Sequence, residues 1–165
     1  METITAGSRA IDFTLTALDG KRYSLSEAIK EGPVLAAFYK ASCPVCQFTF
    51  PFIERFHRHF RDSKAHVWAI SQDPEAEAAE FAEEYGLTMP ILLEDLDTYA
   101  TSNAYGLSRV PTVFLIGQNG EVLHSFAGFS RQDFLQVARK LETLTGRKGF
   151  VPFREEDDVP EYKPG

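Results

Sequence analysis

At 165 residues the chain fits one domain, long enough to bury about two-thirds of the surface its unfolded form exposes. A net charge of −7 argues against a nucleic-acid or anionic-membrane partner, since either surface would repel the protein as a whole. Hydrophobic residues at 44% and aromatics at 13%, with 14 Phe, describe a globular, rather aromatic chain, and no apolar run is long enough to span a bilayer.

The start of the chain has neither the charged beginning nor the apolar segment of a secretory signal, so a cytoplasmic location is expected. Residues 11–18 alternate apolar (Ile11, Phe13, Leu15) with polar (Asp12, Thr14, Thr16), the period of a half-buried strand. Asp19-Gly20 suits a two-residue hairpin turn and residues 21–24 the return strand. Ser24 followed by Glu27 has the spacing of a capping box for a short helix ended by Gly32-Pro33. Residues 33–39 form a nearly continuous apolar run, which suits a strand buried on both faces of a sheet. In the next segment Val45, Phe48, Phe52, Phe56 and Phe60 recur at helical spacing, with Glu54, Arg55, Arg58 and Arg61 expected on the solvated side together with His57 and His59.

Further on, residues 65–70 read as a second core strand and residues 75–85 as an Ala- and Glu-rich helix stopped by Gly86, its acids a solvated face. A short apolar piece at 90–93 and a helix over 96–105 follow. Pro111 opens a strong strand through Ile116, and Asn119-Gly120 turns it into an antiparallel partner at 122–126. Ser130 caps a last amphipathic helix, with Phe134, Leu135, Val137, Ala138, Leu141 and Leu144 as its apolar stripe and Gly146 as its end. The division is therefore one domain over 1–146 and an acidic, Pro-containing tail over 147–165, expected to be largely disordered, although Phe150, Val151 and Phe153 offer apolar docking groups. Strands alternating with helices, then an antiparallel pair, imply an α/β domain with a central mixed sheet flanked by helices and preceded by a β-hairpin.

The two cysteines of the chain, Cys43 and Cys46, fall together in Cys43-Pro44-Val45-Cys46, between the buried strand and the long helix. Cys43 is placed at the mouth of that helix, where the dipole and the unpaired amides favour a thiolate. Pro44 is suited to the first turn, because its missing N–H is one the helix leaves unbonded there. Cys46, one turn on, has the spacing of a resolving thiol. A zinc site would need four ligands, and neither a second cysteine pair nor suitably spaced histidines are available among His57, His59, His66 and His124. No metal or other cofactor is therefore expected. In a reducing compartment a lone Cys-x-x-Cys pair beside a βα turn points to redox catalysis over a structural staple.

These residues resemble the redoxin branch of the thioredoxin superfamily, which holds both AhpC/TSA peroxiredoxins and TlpA-like thiol-disulfide oxidoreductases. The resemblance rests on Gly7 to Phe13 with Asp19-Gly20 and Ser24-Leu25, on Phe38-Tyr39 followed by the Cys43–Cys46 tetrad and Pro51, on Ile70-Ser71-Gln72-Asp73, and on Val110-Pro111-Thr112 with Gly120. It implies a thioredoxin-like fold and a cis Val110-Pro111 bond facing the sulfurs. That loop is thereby expected to offer the Val110 backbone to a substrate thiol, with Pro111 shaping the groove, and Tyr39 and Pro44, close to the cysteines in sequence, are further expected substrate-binding residues.

Peroxiredoxins carry Pro-x-x-x-Thr-x-x-Cys and a later arginine. Aligned on Cys46, this chain has Tyr39 for the proline, Cys43 for the threonine and about Pro111 for the arginine. The acid that relays protons to the second cysteine in thioredoxin would fall at Ala37, so the proton acceptor for Cys46 stays unassigned. Lys40 and Arg109 are read as solvated cations. The expected activity is thiol-disulfide exchange in redox homeostasis, with Cys43 as nucleophile and Cys46 resolving. The expected partners are a disulfide-containing protein or small thiol or disulfide and an unidentified upstream reductant. Two alternatives remain: an antioxidant thiol peroxidase with Cys46 peroxidatic and Cys43 resolving, and a non-catalytic redox-sensing module.

Overall fold

A computed structural model of the protein describes residues 2–165. The hairpin forms as β1 (Thr14–Thr16) and β2 (Arg22–Ser24), and Ser24 caps α1 (Leu25–Glu31) by accepting from the Glu27 amide at 3.4 Å. Next come β3 (Val34–Tyr39), α2 (Pro44–Phe60), β4 (His66–Ser71), α3 (Glu75–Glu84) and β5 (Ile91–Leu93). The chain then runs through α4 (Ala100–Ala104), β6 (Thr112–Ile116), β7 (Val122–Ala127), β8 (Phe129–Ser130), α5 (Arg131–Thr145) and β9 (Tyr162–Lys163). Helix α4 begins later than residue 96 because Tyr99 takes a left-handed backbone (φ 52°), and the helix starts after it.

The central sheet has the order β5-β4-β3-β6-β7, with β3 parallel to β4 and antiparallel to β6. Its middle strand shows why residues 33–39 carry no polar side chain facing water. Leu35, Ala37 and Tyr39 enter one apolar layer with residues of α2, α3 and α5, whereas Val34, Ala36 and Phe38 enter a second layer with the hairpin, α1 and Tyr105. Successive side chains of a strand point to opposite faces, so a strand covered on both sides must be apolar at every position. In α2, Phe50, Phe56 and Phe60 are fully buried, each worth roughly 2–3 kcal/mol by area removed from water.

Two expectations are corrected here. Glu54 does not face solvent: it is 4% exposed, and its carboxylate accepts from the Thr88 and Met89 amides and the Thr88 hydroxyl, with Arg58 at 2.8 Å. His59 likewise stacks its ring on Phe150 at 4.8 Å.

The second correction concerns residues 147–165, expected as a largely disordered tail; they are laid along the body instead. Phe150 is buried against Phe56 and Phe60, and Phe153 meets Phe52, Phe129 and Phe134. Arg55 holds Asp157 through two hydrogen bonds of 2.7 and 3.0 Å and donates to the Pro152 carbonyl, and it pulls the Asp157 carboxyl down to about 2. Strand β9 then pairs antiparallel with β8, Phe129 opposite Lys163 and Ser130 opposite Tyr162. A composition rich in acids and prolines describes the segment's average. The aromatic anchors and one charge matched to Arg55 decide where it lies.

Candidate active site

The site sits where β3 hands over to α2. Cys43 is the N-cap: its backbone is extended (φ −82°, ψ 116°), its carbonyl accepts from the Gln47 amide, and its Sγ accepts from the Cys46 amide at 3.2 Å. Pro44 occupies the first helical position, where no N–H is needed. The turn before it is held by the Cys43 amide on the Lys40 carbonyl (3.1 Å) and by the Gln47 side chain on the Ala41 carbonyl (2.9 Å). Both cysteines are free thiols. Cys43 is partly exposed, whereas Cys46 is fully buried behind it.

Across from the helix start lies the loop before β6. The Val110-Pro111 bond is cis, and the Cys43 thiol donates toward the Val110 carbonyl at 3.6 Å. The loop is fastened by the Thr112 hydroxyl on the Arg109 carbonyl (2.7 Å) and by the Gly128 amide on the Pro111 carbonyl (2.8 Å). Cys46 is pushed strongly up from the ordinary thiol range, first by burial and then by the Cys43 sulfur beside it, with the Asp73 charge adding and the Lys40 backbone N–H opposing. One sulfur is partly exposed and accepts the Cys46 amide, and the other is buried and kept as a thiol in reserve. That division suits nucleophile and resolving group.

Of the residues expected to face a substrate, Val110 is half-exposed, Pro44 is exposed, and Pro111 is buried at the base of the loop. Tyr39 is corrected: it is 0% exposed, between the rings of Phe50 (4.5 Å) and Phe81 (4.7 Å), so no substrate reaches it. Lys40 and Arg109 are exposed cations, as read from the sequence. Among the described residues no group of three or more His, Cys, Asp or Glu could hold a metal ion. His124 pairs with Asp133 at 2.7 Å, and His66 opens β4 at the end of the strand away from the site.

Sequence reasoning left Asp73 without a role. Its carboxylate accepts from the Ala41 amide and the Ser71 hydroxyl, both at 2.9 Å, which ties the β4–α3 loop to the turn carrying Cys43. Ser71 is the ladder partner of Tyr39. The available signal was position: a Ser-x-Asp at the carboxyl end of a strand parallel to the one that ends at the cysteines, the edge where ligand sites gather in α/β sheets.

The model of the AhpC/TSA family matches residues 6–125. The chain belongs to the AhpC/TSA family. One similar protein is the thiol-disulfide oxidoreductase ResA of Geobacillus kaustophilus, 31% identical over 142 residues, or 86% of this chain and 79% of that protein. The thioredoxin domain of a thiol-disulfide oxidoreductase from Bacteroides vulgatus shares the fold, with a TM-score of 0.74 at 22% identity over 84% of this chain and 99% of that one. Peroxidoxin BcpB of Mycobacterium tuberculosis matches with a TM-score of 0.67 at 25% identity over 88% of this chain and 99% of that one. This AhpC/TSA protein therefore has a thioredoxin-like fold.

The buried thiol and phenols of this family member make its stability pH-dependent. Burial raises Cys46, Tyr39 and Tyr105 from ordinary values of 9.0, 10.0 and 10.0. In the unfolded chain these groups ionise at their ordinary values while the folded form keeps its protons. Their contribution is therefore complete below pH 9.0 and declines as pH rises, by up to about 1.4 kcal/mol per pH unit and group. Urea midpoints measured from about pH 8 to about pH 11 should fall earlier for the dithiol than for the disulfide form, which has no Cys46 proton to lose. A flat profile, or one shared by both forms, would contradict this.

Proposed function

We propose that the protein is a thiol-disulfide oxidoreductase acting on disulfide-containing proteins or small disulfides, with an upstream dithiol as its reductant. The observation that carries this is the partly exposed Cys43 sulfur, held at the start of α2 by the Cys46 amide, with Cys46 fully buried behind it. Cys43 attacks one sulfur of the substrate, forming a mixed disulfide and releasing the other half as a thiolate. Cys46 loses its proton and attacks the Cys43 sulfur, which releases the second thiolate. The pair leaves as a disulfide, and two electrons have passed to the substrate. A cytoplasmic setting, where such a reductant regenerates the dithiol, belongs to this reading. No helix among the described residues is long and apolar enough to cross a membrane.

A role as peroxidatic residue fits Cys46 poorly, because at 0% exposure it lies behind Cys43. As acceptor of the Cys46 proton we assign Asp73, whose carboxylate is tied to the turn carrying Cys43 through the Ala41 amide and whose charge acts on Cys46. Single-turnover reduction of insulin by the dithiol form tests the reading: reduction faster than by an equal amount of dithiothreitol is expected, and reduction no faster would overturn it. In the same experiment Asp73→Asn, which keeps an oxygen for the Ala41 amide, should form the mixed disulfide normally. It should resolve that intermediate at least about tenfold more slowly, with a changed pH profile. An unchanged resolution step would remove Asp73 from the mechanism.

A further inference from the structure

Residues 161–165 lie on the face of the site. The Arg131 amide donates to the Glu161 carbonyl at 2.9 Å, and by antiparallel alternation Phe129 and Lys163 form the next hydrogen-bonded pair. The Lys163 ammonium sits over the Phe48 ring at 5.2 Å, one turn along α2 from the tetrad. Gly128, with φ at 76°, leaves room for the Lys163 carbonyl, which a side chain there would strike. Gly165 lies so close over Val110 that a Cβ would collide with its carbonyl and meet the Pro111 ring at 3.5 Å. That Val110 carbonyl is the group toward which Cys43 points. The segment is thus an extended strand running along β8 and ending on the Val110-Pro111 loop, where an extended stretch of a protein substrate would add itself to the same edge.

We propose that residues 161–165 are a strap over the substrate groove that selects against extended protein disulfides and admits small ones. This rests on the oxidoreductase reading. Residues 161–165 are held by the two-residue β8–β9 pairing, the Arg131–Glu161 contacts and the Lys163–Phe48 contact, so a substrate displaces them at a cost to apparent affinity equal to the fraction of time the groove stands open. A small disulfide needs the Cys43 sulfur and not the groove. The strap acts through access, and the thiol chemistry is unchanged by it.

The test compares the full chain with a form ending at Val159, which retains Phe150, Phe153 and the Arg55–Asp157 pair, and with full-length Lys163→Pro, which removes one ladder donor. Both variants should raise kcat/KM for insulin by about tenfold, as for a groove open about one-tenth of the time, and change that for oxidised glutathione less than about twofold. Equal insulin rates in all three forms, or equal gains on both substrates, would overturn the strap.

A readout independent of turnover uses the Cys46→Ser protein, with Cys43 joined through an activated disulfide to a cysteine-containing decapeptide or to cysteamine. The amide NMR signals of Lys163 and Gly165 should move to random-coil positions with the peptide and stay in place with cysteamine. Signals unmoved by the peptide would overturn the proposal. Absence of turnover in the full chain on either disulfide would instead overturn the oxidoreductase reading, and the NMR displacement would still decide the strap.

Discussion

Replacing Cys43 by serine is expected to lower disulfide reduction by at least about a thousandfold, to the background of the reductant alone. The hydroxyl fits the N-cap and accepts from the Cys46 amide as the sulfur does, so the fold and the helix start survive. What is lost is the nucleophile: a serine hydroxyl is a far weaker nucleophile than a thiol, and an oxygen forms no mixed disulfide. Cys46 cannot take over, because it is fully buried and burial holds it as a thiol. Steady-state rates with insulin, beside circular dichroism and a urea midpoint to show an intact fold, check this result. Residual activity within about tenfold of the natural chain would mean that Cys46 is reached directly and that the order of the two thiols is reversed.

Replacing Cys46 by serine should have an equally large effect of a different kind. The first step survives, since Cys43 keeps its exposure and the amide of residue 46, but nothing behind it releases the substrate. Turnover falls to the rate at which outside thiol attacks the mixed disulfide, and the covalent complex accumulates to near one equivalent. Burial of the resolving thiol makes this contrast large: its advantage over a solution thiol is its fixed position one turn from Cys43, an effective concentration that no millimolar reductant matches. Mass spectrometry under non-reducing conditions detects the complex. Full turnover by Cys46→Ser, or failure to trap any adduct, would contradict the assigned roles.

How much of this was legible beforehand follows from which forces are local. Strand β3 could be read because both of its faces are covered, and α2 because Phe52, Phe56 and Phe60 repeat at its period. The cysteines were legible because their spacing and their place after the strand fix a helix cap. Glu54 was misread because its partners, Thr88 and Met89, come from a distant loop, and an acid between aromatic residues shows only its local helix position. Tyr39 was misread for a related reason: proximity in sequence to the cysteines suggested the surface, but strand alternation sends its ring inward under Phe81. Asp73 and the segment after Gly146 act through pairings made only once the chain has folded, with Ala41 and with Arg55 and β8. The family resemblance ended before that segment, so neither composition nor motif announced a strand beside the site.

The central claim is that the Cys43–Cys46 pair is built for exchange with disulfides. Stopped-flow mixing of the fully reduced protein with hydrogen peroxide, and separately with a small protein disulfide, tests it most directly. The account predicts fast exchange with the disulfide, and oxidation by peroxide no faster than that of an ordinary solvent-exposed thiol. Rapid, saturable reduction of peroxide with slow disulfide exchange would contradict it.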